Sequence, residues 1–596
     1  MEWLGLHYII WIIMAVYFLG MLLLGWWSKH SIHDREGFLL GNRRFGVGMM
    51  VMHAFGAGTH PGDVAGVVSK TVDRGASGIW VSWMWMFGTP FYWIIAPVVR
   101  RMRCLTVADY FEQRFGPAAS VLYILVAVVS GVIVCASVML ATTRTVQGMM
   151  GKASVVQTVA APAASAASSP AAEASPADRG LEAEWRARGV ATQREADTWF
   201  LGILVVTTAV FLVYSYWGGI VAAIRTDMIQ GLMIIALSFV AIPVALELVG
   251  GWSAAKGILA QAATADRQDL ALFDPKYFSL LAVLVLCVNA PFSMMAQPHL
   301  VSVTSAGRTE WEGRVGFTYG NIIKRICTMG WCVLALCWLA FLIRKGASVH
   351  ADAAFGDSVR FLLHPALQGI MLACVLAAAM STGDALQVTC AGLVSENLYR
   401  RHIRKDASEA HYLWVTRITG VVIILAALGA AVAMRKSVVE SILNYFKLTA
   451  TVGVSVVVGI LWRRMNTAGV FASTLAATAV LVLTKYILPA YGFAFGQAGT
   501  TGLPLLAGLV FGILGSYLGP PPKRETIEKF FKKIYVPIGE ESKLDLPFDE
   551  AVPPEKRWLT SAGLFLVKPS RQSWVGFLVT VAICLSLVAV MTWLLA

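Results

Sequence analysis

Charge is scarce in this chain. Of 596 residues only 14% are Asp, Glu, Lys or Arg, against roughly 25% in an ordinary soluble domain, and 57% are hydrophobic. So little charge excludes a freestanding globule that must cover its surface in water. Cysteine is sparse too. The nine cysteines are scattered, mostly within apolar runs, and none forms a CxxC pair. That excludes a zinc or disulfide framework and leaves them as small core residues. No nucleophile-plus-base motif and no metal-ligand spacing is present, so the ionisable His60, Asp63, His299 and Asp384 do not read as an intramembrane enzyme. The tail beyond residue 519 is too short for a signalling domain and ends in another apolar run, which argues against a sensor.

What the chain has is hydrophobic length. Its apolar residues fall into runs of roughly 18–28, enough to cross a hydrocarbon core of about 30 Å. The class is a polytopic, all-α membrane protein. The first run, "YIIWIIMAVYFLGMLLLGWW", has no basic n-region and no small-residue cleavage site, and is expected to be a retained span. About fourteen spans are predicted, near 6–27, 46–69, 76–99, 118–148, 198–217, 222–248, 276–302, 315–343, 367–397, 412–433, 438–462, 466–488, 502–518 and 573–595. The net charge of +13 is carried by short basic loops such as "RRMR", "YRRHIRK" and "PPPKRETIEKFFKK". This is the positive-inside pattern rather than a nucleic-acid surface. It puts those loops in the cytoplasm, both termini outside, and the protein in the inner (cytoplasmic) membrane. An Ala/Pro/Ser-rich external insertion over 150–196 is too poor in large apolar groups to fold alone, except for a short helix at "LEAEWRARG". The basic amphipathic "ETIEKFFKKIYV" reads either as a segment lying on the anionic inner leaflet or as a solvated loop.

Two spans are composed to break. In "HAFGAGTHPGDVAGVVSK", Gly56, Gly58, Pro61 and Gly62 interrupt a helix beside His60 and Asp63. Proline removes a donor, glycine costs about 1 kcal/mol relative to alanine, and an unpaired backbone group facing lipid costs several more. The carbonyls freed around Gly56 to Thr59 must therefore be buried in protein or line a wet cavity. "LAVLVLCVNAPFSMMAQPHLVSV" repeats the design with Asn289, Pro291, Ser293, Gln297, Pro298 and His299. Interrupted segments at matching positions of two halves point to a transporter's central site. A third span, "GIMLACVLAAAMSTGDALQVTCAGLVSENLYRR", carries Ser381, Thr382, Asp384 and Gln387 among small apolar residues. Its hydroxyls either bond back to their own helix or face the freed carbonyls, and an intramembrane carboxylate marks a functional site by default. Neutral oxygens gathered in this way suit one hard monovalent cation such as Na⁺.

At these residues the chain resembles the sodium:solute symporter family, which includes sodium/glucose, sodium/proline and sodium/sialic acid carriers. The segments that carry the resemblance, in order, are "FLLGNRRFGVGMMVMHAFGAGTHPGDVAGVVSK", "RMRCLTVADYFEQRFG", "YSYWGGIVAAIRTDMIQG", "AAAMSTGDALQVTCAGLVSENLYRR" and "GILWRRMNTAGV". The resemblance implies a LeuT-type inverted repeat of five plus five helices, with one extra N-terminal span and about three extra C-terminal spans. On this chain that assigns 1–45 to the extra span and its loop, 46–248 and 249–465 to the two repeats, and 466–596 to the C-terminal spans with a basic loop over 519–572. It further implies a sodium site on Gly56, Thr59, Ala378, Ser381 and Thr382, with Asp227 assisting and Asp384 nearby.

Solute residues carry over less fully. Positions that bind sugar in sugar-carrying relatives fall on Gly58, Asp63, Ser82, Asn289 and Phe292, of which only Asn289 keeps the expected chemistry. His60, Asp63, Trp83, Trp85, Gln297 and Lys447 would line a more polar site, with Lys447 either facing the cavity or snorkelling to a surface. The function implied is Na⁺-coupled uptake of a sugar, sugar acid, amino acid or carboxylate by alternating access. The alternative is a proton-coupled or passive carrier on the same scaffold. The expected partners are the solute, the bilayer and Na⁺ as coupling ion, with no organic cofactor and no nucleic acid; nothing in the sequence marks an oligomeric state.

Overall fold

The computed structural model describes residues 2–29, 43–153, 193–217, 220–264, 267–347, 349–558, 564 and 566–596. Most of the insertion expected over 150–196, with its short helix, lies outside the described residues. Among those described, ten helices are long and apolar enough to cross a membrane, accompanied by three shorter apolar helical stretches.

In chain order the helices are α1 (Tyr8–Lys29), α2 (Val47–Gly58), α3 (Pro61–Arg74), α4 (Tyr92–Arg101), α5 (Val107–Phe115), α6 (Pro117–Met149), α7 (Gln193–Trp217) and α8 (Ile220–Val249). There follow α9 (Trp252–Gln261), α10 (Leu280–Met295), α11 (Leu300–Ser305), α12 (Glu310–Lys345), α13 (Ala354–Leu362) and α14 (Pro365–Gly392), which runs on as a wider coil through Leu393–Ile403. The chain closes with α15 (Glu409–Ala433), α16 (Val438–Leu461), α17 (Thr467–Val482), α18 (Gln497–Leu518), α19 (Arg524–Tyr535) and α20 (Arg571–Leu595).

The first expected interruption is real and is placed by local chemistry. Helix α2 stops at Gly58, and Thr59 and His60 are both extended, at φ −119°, ψ 102° and φ −110°, ψ 163°. Pro61 then opens α3 rather than breaking α2. At the first position of a helix its missing N–H is no loss and its fixed φ is already helical. Asp63, in that first turn, accepts the His60 N–H at 3.1 Å, where a carboxylate also complements the helix dipole. The second interruption lies later than Asn289 and Pro291, which remain inside α10. The chain leaves the helix at Ala296 and re-enters it at Leu300, with Pro298 in the gap.

The span expected over 76–99 is not one helix. Gly75, in the left-handed region at φ 66°, and Pro90, which lacks an N–H, interrupt the ladder. The chain runs through short turns at Gly75–Ile79, Trp80–Trp83 and Met86–Phe91 before settling into α4. The basic segment α19 turns its apolar face onto protein, with Arg524, Glu525 and Lys529 exposed on the other. Phe530, Phe531, Ile534 and Tyr535 are buried, and the helix packs on α4 and α5. Arg103 donates to the carbonyls of Lys533 and Val536 at 3.1 and 3.3 Å, holding it there.

Helix α12 packs along α2 and α3, α8 lies on α2 and α12, and α14 meets both α2 and α8. The α12–α2 contact is backbone to backbone at Gly320. A Cβ there would stand 2.6 Å from the Val51 carbonyl oxygen and 2.8 Å from the Phe55 nitrogen. Small residues permit this approach where no hydrophobic drive favours helix pairing in lipid. Gly320→Ala is expected to destabilise the protein by about 1–3 kcal/mol through overpacking. Chemical unfolding of the detergent-solubilised protein measures it, and an unchanged midpoint contradicts the close contact.

Candidate functional site

Two polar networks meet at the interruption between α2 and α3. On one side, Thr382 of α14 sets its hydroxyl oxygen 3.5 Å from the Gly56 carbonyl oxygen and 3.4 Å from that of Ala57. A cation held about 2.4 Å from ligands at right angles to each other places their oxygens about 3.4 Å apart. Ser381 donates its proton to Asp227 Oδ1, and Asp227 Oδ2 lies 2.7 Å from His53 Nδ1. All these side chains are buried. Gly56 keeps this junction uncrowded, since a Cβ would come within 3.1 Å of Ser381 Oγ and 3.2 Å of the Asp227 carboxylate.

Thr59 turns its N–H back to the Gly56 carbonyl at 3.1 Å. Its hydroxyl is buried with no hydrogen-bond partner among the described residues. Ala378, one turn before Ser381, is buried and lines a small cavity with Pro61 and Val64. The side chain of Asp384 lies outside the described residues. The donor set, carbonyl and hydroxyl oxygens beside a buried carboxylate and an unpartnered hydroxyl, fits a small hard cation.

On the other side of the interruption stands Lys324 of α12, one turn beyond Gly320. Its ammonium donates to the Gly58 carbonyl and pairs with Asp63 at 2.7 Å. The His60 ring lies 3.7 Å from the same carboxylate. Beside it Arg325 donates through Nη1 to the carbonyl and hydroxyl of Ser82 at 2.8 and 3.0 Å. Its own carbonyl accepts the Trp83 ring N–H at 3.1 Å.

A cavity adjoins both networks. Of the expected solute residues it is lined by Gly58, His60, Trp85 and Gln297, together with Lys324, Arg325, Thr382 and Phe446. The Trp85 and Phe446 rings lie 4.1 Å apart and form one wall. The other expected residues do not line it. Asp63 sits behind Lys324, and Ser82 holds Arg325. Asn289 is buried within α10, and Phe292 packs its backbone against Gly453 of α16. Lys447 faces neither the cavity nor a surface, because its ammonium donates to Gln497 and Thr500 of α18 at 2.8 and 2.7 Å.

Sequence reasoning missed His53, Ala57, Lys324 and Arg325. The signal for the last two was present. "NIIKRICTMGW" places adjacent cations inside an apolar span, and the rule that marks Asp384 marks them equally.

Comparison with known proteins agrees with this architecture. A family model described as "Sodium:solute symporter family" matches residues 199–477. The osmoregulated proline transporter OpuE of Bacillus subtilis (strain 168) is 23% identical over 532 residues, covering 87% of this chain and 96% of that protein. The sodium/proline symporter of Escherichia coli (strain K12) is 23% identical over 544 residues, covering 87% and 94%. Among solved structures, that of a Na⁺-coupled sialic acid symporter is 15% identical and superposes with a TM-score of 0.67 over 87% of this chain and 99% of its own. The fold is therefore the LeuT type that the resemblance implied.

The Lys324–Asp63 pair is buried on both sides, 8% and 4% exposed. Removing one partner strands the other, so Lys324→Met and Asp63→Asn should each cost about 3–5 kcal/mol. The double variant should recover most of that loss. Thermal unfolding of all four proteins checks this, and simple additivity would contradict the pairing.

Proposed function

We propose that this chain, whose sequence matches the sodium:solute symporter family, carries a small organic solute across the cytoplasmic membrane into the cell together with Na⁺. The observation behind the reading is the approach of the Thr382 hydroxyl to the Gly56 and Ala57 carbonyls at the interrupted helix. The reading takes the carbonyls of Gly56, Thr59 and Ala378 and the hydroxyls of Ser381 and Thr382 as ligands for the ion. With its proton on Asp227, Ser381 keeps its lone pairs free for a cation. Asp227, fixed by His53, supplies a negative charge beside the ion without having to touch it.

Na⁺ entering from outside would tie α2 to α14 and so complete the cavity wall to which Ala57 and Thr382 also belong. Rocking of the two repeats about this site then exposes ion and solute inward. One charge crossing 100 mV is worth about 2.3 kcal/mol. At about 1.4 kcal/mol per tenfold, voltage alone supports roughly 40-fold accumulation of a neutral solute per Na⁺. Asp384, on the same helix, is assigned to sodium-site support, and the basic loops to the cytoplasmic side.

Thermal unfolding of the purified protein against a solute library, in Na⁺ and again in K⁺, tests the reading. A ligand that stabilises in Na⁺ and not in K⁺ is expected, and equal stabilisation in both ions argues against coupling. With that solute in proteoliposomes, Ser381→Ala and Thr382→Ala should each raise the Na⁺ concentration for half-maximal uptake about tenfold, the loss of about 1.4 kcal/mol of ion binding. Unchanged sodium activation in both would remove the assigned site.

A further inference from the structure

The cavity beside the interrupted helix is unbalanced in charge. Two charged side chains line it among the described residues, Lys324 and Arg325, and both are cations. Lys324 has its counter-charge in Asp63. Arg325, only 1% exposed, has no carboxylate within ion-pair distance among the described residues. Its bonds go to the neutral oxygens of Ser82, and its Nε has no partner. Three further wall residues carry buried atoms with no hydrogen-bond partner among the described residues, His60 at Nδ1 and Tyr92 and Tyr445 at their hydroxyls.

A buried guanidinium without a counter-ion is costly, and buried donors are ordinarily satisfied. Of these atoms the arginine N–H and the tyrosine O–H groups are hydrogen-bond donors. The complement is an acceptor-rich anion, and a carboxylate suits a guanidinium best because its two oxygens match the guanidinium fork. The pair of rings from Trp85 and Phe446 offers the rest of the solute an apolar wall.

We propose that the solute is a small organic anion whose carboxylate is received by Arg325, with Tyr445 and His60 as further hydrogen-bonding partners. This rests on the symport reading for its coupling ion and on the cavity alone for its charge. It supplies a physical basis for that coupling. Thr382 and Ala57 belong to the cavity wall as well as to the ion site, so a carboxylate and Na⁺ held there attract each other in a site sheltered from water. A cationic solute meets Lys324 and Arg325 and is repelled.

The test uses the full-length protein in nanodiscs and three matched probe pairs: benzoate with benzamide, lactate with lactamide, and gluconate with glucose. In Na⁺, at least one carboxylate should raise the unfolding temperature while its uncharged counterpart does not. Arg325→Gln should weaken that carboxylate by about 10–100-fold, the loss of hydrogen bonds to a charged group, and Arg325→Lys should retain more of it. Equal stabilisation by the uncharged counterpart, no response to any carboxylate, or an Arg325→Gln protein with wild-type affinity overturns the proposal. The wild-type probe pairs decide the matter even where a variant fails to fold. A carboxylate that binds equally in K⁺ supports the anion site while counting against sodium coupling, so the two readings fail separately.

Discussion

A peptide carbonyl released from its helix cannot be left facing hydrocarbon, where each unmet group costs several kcal/mol. That constraint is concentrated at Thr59 and His60, and two other helices answer it. Helix α14 brings Thr382 to the carbonyls of Gly56 and Ala57, and α12 brings Lys324 to that of Gly58. Beside them α8 brings Asp227 to Ser381. Gly56 leaves room for Asp227 and Ser381, and Gly320 lets α12 come close enough for Lys324 to arrive.

The two networks differ in what they leave open. Around Asp227 the carboxylate is held by Ser381 and His53, and what remains is a set of oxygen lone pairs, suited to a cation. Around Lys324 the one reachable carboxylate is already paired, and what remains is the guanidinium of Arg325, an environment for an anion. The interrupted helix separates these environments by a few residues, Gly56 and Ala57 facing one and Gly58 and His60 the other. A helix that stayed continuous would tie up the same carbonyls in its own ladder and offer neither.

Much of this was legible along the chain. Hydropathy located most of the long apolar helices, the stretch over 76–99 excepted, because a bilayer demands apolar length whatever the partners. The glycines and proline between Gly56 and Gly62 located the first interruption. The solute residues were less legible for a geometric reason. Whether Asn289, Phe292 or Lys447 reaches the cavity depends on the rotation of α10 and α16, and one residue along a helix turns a side chain by about 100°. Lys324 and Arg325 went unmarked because attention to glycine and proline passes over charge in an unbroken helix. The amphipathic α19 showed its apolar stripe plainly, but the stripe does not say whether lipid or protein will cover it.

By itself, then, the sequence determined that this is a membrane-spanning helical protein with an interrupted second span. Those features follow from composition and from backbone chemistry local to a few residues. Only the tertiary structure decided which charge answers which: Lys324 with Asp63, His53 with Asp227, Lys447 with α18, and Arg325 with none among the described residues. Ion pairing inside a bilayer is settled by distances of a few ångströms between helices remote in sequence, and no pattern along one helix carries that information.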